Sequence, residues 1–173
     1  MKSLDKKTIV EFLRLASERL KGEWLWMGGT LLSIVGAKAR PTQDIDIVPC
    51  NSKSNSQTIA LLEIAQALKL PVESINSAGS LFLSKIPERA EHFEVILKNE
   101  KVTIYRPDAY LFIRLKMSRL SDSDLSDICA YLELFPLKQT DKVQLKIHIQ
   151  KIPLIEKNDS YIKRLQKLNA MLS

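Results

Sequence analysis

Between residues 4 and 20 the apolar side chains Ile9, Phe12, Leu13, Ala16 and Leu20 recur every three or four positions, the spacing of an amphipathic helix that packs by one stripe. Lys21 and Gly22 close that helix, because glycine tolerates the left-handed backbone that ends helices. The unbroken apolar run 24–27 predicts a short buried strand, and a second helix begins at the pair Gly28 and Gly29. That helix covers 30–35 and stops at Gly36, before a polar loop at 37–43. A second strand is predicted at 44–48, ended by Pro49. The Asn- and Ser-rich stretch 51–57 is a loop, after which 58–70 has the periodicity and the strong helix formers of another helix, broken by Pro71.

Residues 72–87 carry the weakest pattern, and only 81–83 read as a short strand. Two apolar runs, 93–97 and 102–105, flank the charged turn 98–101 and predict a β-hairpin. Pro107 is placed in the first turn of a helix over 108–120. The Ser and Asp residues at 121–124 cap another over 124–135, and two or more further helices finish the chain between 138 and 173, separated near Pro153. This order of elements predicts the α+β class, a mixed sheet flanked by helices with a helical C-terminal extension.

At 173 residues the chain suits one compact domain, read here as 1–136, with the extension 137–173 packed on it. A composition of 45% hydrophobic and 27% charged residues excludes a disordered chain. The N-terminus has an acidic residue and a helical pattern in place of the apolar run of a signal peptide, and no stretch reaches the length of a membrane span. The expected location is the cytoplasm, with no membrane partner. Cys50 and Cys129 are too far apart for a paired motif and are expected to be buried reduced thiols. The net charge is +6, and residues 138–173 hold eight Lys and Arg against three Asp and Glu, or +5. Such a surplus either attracts nucleic acid or an acidic partner or forms a solvated helix face.

Candidate chemistry concentrates where the second strand follows the glycine pair. Along 44–48 side chains alternate, so Asp44 and Asp46 share one face while Ile45 and Ile47 enter the core. Their Cβ atoms stand roughly 7 Å apart at ~3.3 Å rise per residue, near enough to share one divalent ion or to hold two. Without a metal the two carboxylates repel, so magnesium, or manganese in its place, gives a physical reason for having both. At Gly28 and Gly29 the missing Cβ lets a phosphate approach the backbone, and the helix N-terminus offers N–H donors. Thr30 adds a hydroxyl, and the following loop supplies Lys38 and Arg40 as phosphate contacts. These parts together match phosphoryl-transfer chemistry. A P-loop is excluded, since six residues separate Gly29 from Gly36 and no Lys-Ser/Thr pair follows. Trp24 and Trp26 alternate on a strand and are expected in the core, while His92 and His148 are isolated and assigned to the surface.

The ordered set Gly28-Gly29-Thr30, Arg40-x-Thr42-x-Asp44-Ile45-Asp46 and, much later, Lys116 with Asp124-Leu-Ser-Asp127 resembles the nucleotidyltransferase superfamily of polymerase-β type. Within it the chain resembles the small bacterial branch related to the AbiEii toxins of abortive infection. The likeness spans about 24–134 and leaves the tail uncovered. It implies that the glycine turn grips a nucleoside triphosphate, that Asp44 and Asp46 bind magnesium, and that a third carboxylate on a neighbouring strand helps activate the attacking hydroxyl. Glu94 is the first candidate for that acid, with Glu73 behind it; Glu94 reads equally as a solvent-facing strand residue. Lys116, on a helix with Arg119, approaches the nucleotide if it follows the related toxins, or forms an ion pair with Asp44, Asp46 or the acids of the next helix. Asp122, Asp124 and Asp127 are expected to cap and orient that next helix. The implied function is metal-dependent transfer of a nucleoside monophosphate from a nucleoside triphosphate to a hydroxyl of RNA, such as tRNA, or of protein. The same likeness implies a toxin with an antitoxin partner. The alternative is a catalytically inactive module of the same fold that binds a nucleotide, RNA or protein.

Overall fold

The computed structural model describes residues 4–38, 41–51, 55–152 and 159–172. The chain forms two compact units, Met1–Pro107 and Asp108–Ser173. The sheet is complete at Pro107, and everything described beyond it is helix or connection.

In the first unit, Asp5 caps α1 (Lys6–Arg19) by accepting a hydrogen bond from the Thr8 amide at 2.7 Å, and Ile9, Phe12, Leu15 and Ala16 form its buried stripe. There follow β1 (Gly22–Met27), α2 (Gly28–Ile34), β2 (Ile45–Pro49), α3 (Asn55–Ala67), β3 (Ile75–Asn76), α4 (Gly79–Leu83), β4 (Phe93–Lys98) and β5 (Val102–Pro107). The five strands make one mixed sheet in the order β3-β2-β1-β5-β4. The central strand β1 runs antiparallel to β2 and parallel to β5; β3 joins β2 in parallel and β4 joins β5 as an antiparallel hairpin. Burial on both faces explains why 24–27 is apolar without alternation.

One face of this sheet is closed by α1, where the ring of Phe12 meets Trp26 edge-on with centroids 5.3 Å apart. Trp24 and Trp26 are buried, as expected, and both indole N–H groups are satisfied: Trp24 donates to the Lys21 carbonyl at 2.9 Å and Trp26 to the Thr30 hydroxyl at 3.0 Å. On the other face Gly79, at the start of α4, comes so close to Met27 that a Cβ there would lie 2.4 Å from its sulfur.

Three local expectations are corrected. Residues 81–83 belong to α4 and not to a strand; Leu83 is buried while Leu81 and Phe82 are exposed, which suits one helical turn touching the sheet with one side chain. The extra strand is instead the two-residue β3. Pro107 ends β5, and Asp108 caps the next helix by accepting from the Leu111 amide at 2.9 Å. Both cysteines are free, but only Cys50 is partly buried. Burial first, and then the charge of Glu23, push its thiol up to about 12, while Cys129 is exposed.

The second unit contains α5 (Ala109–Lys116), α6 (Asp122–Leu134), α7 (Gln139–Gln150) and α8 (Asp159–Met171). Its core stacks Phe112 on Tyr131 with centroids 4.1 Å apart, and the Tyr161 hydroxyl donates to the Met117 carbonyl at 3.0 Å. The expected break near Pro153 lies outside the described residues. Among the described residues no helix is long and apolar enough to cross a membrane.

Candidate functional site

The glycine pair and the aspartate strand meet in the first unit. Met27, the last residue of β1, pairs with Asp46 of β2. The chain then turns at Gly28 with φ +77°, in the left-handed region that side chains disfavour. The Asp46 carboxylate lies directly against this turn, where a Cβ on Gly28 would stand 1.9 Å from Oδ2. Gly29 is matched in the same way, since a Cβ there would sit 3.3 Å from the Thr42 hydroxyl oxygen. The two glycines are thus seated on the segment that carries Thr42 and Asp46.

Asp44 lies one residue before β2 begins at Ile45, in the exposed end of the preceding loop, so the strand alternation expected over 44–48 operates on Asp46 alone. Asp46 is half-buried while its neighbours Ile45 and Ile47 are fully buried. Thr30 is 0% exposed and its hydroxyl accepts the Trp26 indole bond, so it serves the core at this position. Lys38 is exposed. Arg40 lies outside the described residues.

Glu94, the first candidate for a third acid, does not reach Asp46. Residues paired across a ladder share a face. The pairs Asp46–Met27, Leu25–Tyr105 and Tyr105–Val95, with alternation along each strand, put Asp46 and Val95 on one face. Glu94, next to Val95, points from the other face and pairs with Arg106. Two strands also separate β2 from β4, roughly 14 Å at ~4.8 Å per strand. Glu73 is exposed in the short 3₁₀ turn Val72–Ser74 before β3. The strand neighbours of Asp46 are Met27 on one side and Asn76 on the other. The Asn76 side-chain oxygen accepts from the Ala78 amide at 2.8 Å. Asn76 escaped the sequence reading because a two-residue strand has no periodicity to detect.

Lys116 belongs to the second unit, on α5, and of the three pairings open to it the structure contains the one with the acids of the next helix. Its ammonium donates to Asp127 at 2.6 Å and to Asp124 at 3.1 Å, with the three side chains 12%, 2% and 1% exposed. Arg119 adds a two-pronged contact to Asp124 at 2.8 and 2.9 Å. Asp124 also closes a capping box with Ser121 at the start of α6. Burial opposes ionisation of Asp124, but the hydrogen bonds from Arg119 and Ser121 and the charge of Lys116 outweigh it and hold the carboxyl well below the usual carboxylate range.

The donor chemistry around the glycine turn suits magnesium, which retains water and accepts one or two carboxylates together with substrate phosphates. The carboxylates nearest the turn in the chain are Asp46, half-buried against Gly28, and the exposed Asp44 two residues before it. Among the described residues no group of three or more His, Cys, Asp or Glu is arranged to hold a metal ion. Comparison with protein-family models, curated proteins and solved structures finds no match.

Two substitutions test this geometry. Gly28→Ala meets both the left-handed backbone and the Asp46 carboxylate, whereas Gly22→Ala at φ +79° meets open space. Gly22→Ala should cost about 1–2 kcal/mol, the strain of the backbone alone, and Gly28→Ala distinctly more, as read by chemical denaturation. In the second unit, Asp124→Asn leaves Lys116 and Arg119 without their shared anion and should cost about 3 kcal/mol at neutral pH. Because the folded-state value of Asp124 is depressed, its contribution is complete above the ordinary aspartate value of 3.8 and is lost as pH falls below it. The stability gap between wild type and Asp124→Asn should therefore close on acidification, and a gap independent of pH would contradict the assignment.

Proposed function

We propose that this chain is a metal-dependent nucleotidyltransferase that moves a nucleoside monophosphate from a nucleoside triphosphate to a hydroxyl of RNA or protein. The observation that carries this reading is the seating of Gly28 and Gly29 on Asp46 and Thr42, which joins two motifs distant in the sequence into one local surface. Asp44 and Asp46 are the residues that would hold the metal, which when bound neutralises phosphate charge and aligns the attacking oxygen. The turn at Gly28 brings the backbone directly against the Asp46 carboxylate, so a polyphosphate held through a metal on Asp46 would lie beside that backbone. The fold assigned to this reading is the nucleotidyltransferase type, supported by the mixed sheet with Asp46 on the strand antiparallel to β1 and Asp44 just before that strand.

A second reading, a module of the same type that binds a nucleotide, RNA or protein without turnover, is favoured by one specific observation. The positions flanking Asp46 are Met27 and Asn76, and neither can take a proton from an acceptor hydroxyl. Under this reading the site holds a metal-bound nucleotide and stops there.

Incubation with each labelled nucleoside triphosphate, magnesium and a pool of tRNA or protein separates the two. Label should pass to an acceptor with the wild type and not with Asp44→Ala plus Asp46→Ala; transfer that survives the double substitution removes these residues from the site. Saturable nucleotide binding with no product on any acceptor selects the second reading. Asn76→Asp places a carboxylate beside Asp46 and should tighten manganese binding by about ten-fold, as followed by calorimetry without substrate. Unchanged manganese affinity would mean that Asn76 does not face the metal.

A further inference from the structure

Helix α7 has three kinds of surface. Leu145, Ile149 and Asp141 are buried. Lys138, Lys142 and Lys146 follow one another at four-residue intervals along one flank. Val143 and Ile147, also four residues apart, are 49% and 45% exposed. Asp141 is the single acidic residue of the helix, and it is buried, so the outward surface of α7 combines the apolar Val143 and Ile147 and the partly exposed Lys142 and Lys146 with neutral polar side chains such as Gln144, and the helix itself adds no exposed negative charge. Lys151, at the C-cap, extends the positive charge past the end of the helix.

Isolated exposed apolar residues are ordinary. Two β-branched ones on one stripe, with lysines along its flank, are the complement of a particular surface, a helix whose apolar seam is bordered by Asp and Glu. Two other anionic partners fit less well. A phosphate backbone would engage the lysines but leave Val143 and Ile147 in water, since it presents no apolar surface to cover them. A bilayer interface selects helices whose whole apolar face is free to insert, with Trp, Phe or Leu at depth. Here the larger apolar face of α7, Leu145 and Ile149, is already packed inside its own unit.

We infer that the outward face of α7 is a docking surface for an acidic amphipathic helix of a protein partner, with Val143 and Ile147 as the seam and Lys142 and Lys146 as the charged border. The probe is a fluorescein-labelled synthetic helix of roughly 20 residues with a leucine seam bordered by glutamates. It is titrated with the full chain by anisotropy, alongside a scrambled peptide of the same composition, phosphatidylserine vesicles and a single-stranded RNA. The seam peptide should bind at least about ten-fold tighter than the scrambled one, and weaken as salt rises. Val143→Ser with Ile147→Ser should remove that preference, and Lys142→Glu with Lys146→Glu should reduce affinity for both peptides, with far-UV circular dichroism confirming that each variant folds. Equal binding of the two peptides overturns the inference, as does indifference of the seam peptide to the Val143 and Ile147 substitutions. Tighter binding of the vesicles or the RNA through these same four residues overturns it in favour of a lipid or nucleic-acid surface.

Discussion

The contact between Gly28 and Asp46 constrains the whole first unit. At the end of β1 the backbone enters the left-handed region, and the space a side chain would occupy is filled by a carboxylate from the neighbouring strand. That contact is possible only because Met27 and Asp46 are paired, so the β1–β2 register and the turn specify each other. The turn starts α2, places Thr30 where its hydroxyl can accept the Trp26 indole N–H, and lets Gly29 receive Thr42. Phe12 then packs on Trp26 and closes that face with α1. Core and candidate site share one set of residues, so the half-buried Asp46 carboxylate is part of the packing around the turn.

The second unit rests on a different solution. Lys116, Asp124 and Asp127 are almost fully removed from water, where each charge alone would be costly, and their mutual hydrogen bonds compensate for lost hydration. The exposed ion pair of Arg14 with Glu11 on α1 contributes little by comparison, because water screens it. Ser121 and Asp124 add the capping box that starts α6, so one aspartate both begins a helix and holds a lysine of the previous one. This gives the Lys-and-Asp motif a structural reason that is independent of any nucleotide.

Much of this was legible in the sequence because it rests on local rules. Period and composition predicted α1, β1, α2, β2, α3, the β4–β5 hairpin and the helices after it; Pro71, Gly36 and the Ser and Asp cluster at 121–124 marked ends that the structure retains to within a few residues. The misreadings have physical causes. Leu81, Phe82 and Leu83 form an apolar run that suits a strand as well as a helix, and in the helical turn that begins with Gly79 against Met27 only Leu83 is buried. Pro107 is compatible with the end of a strand and with the first turn of a helix, and its antiparallel pairing with Phe93 of β4 decided for the strand.

The sequence by itself determined that Gly28 and Gly29 stand at a strand–helix turn and Asp46 on the following strand between buried isoleucines, since backbone freedom and alternation are properties of short segments; it did not determine that Asp44 falls just outside that strand. Only the tertiary structure decided that Asp46 lies against Gly28, that Asn76 and not an acid is its other neighbour, that Glu94 faces the opposite side with Arg106, and that Lys116 belongs to Asp124 and Asp127. Those facts depend on strand order and register across long stretches of chain, which no local pattern encodes, and on the competition among charges for partners once water is excluded.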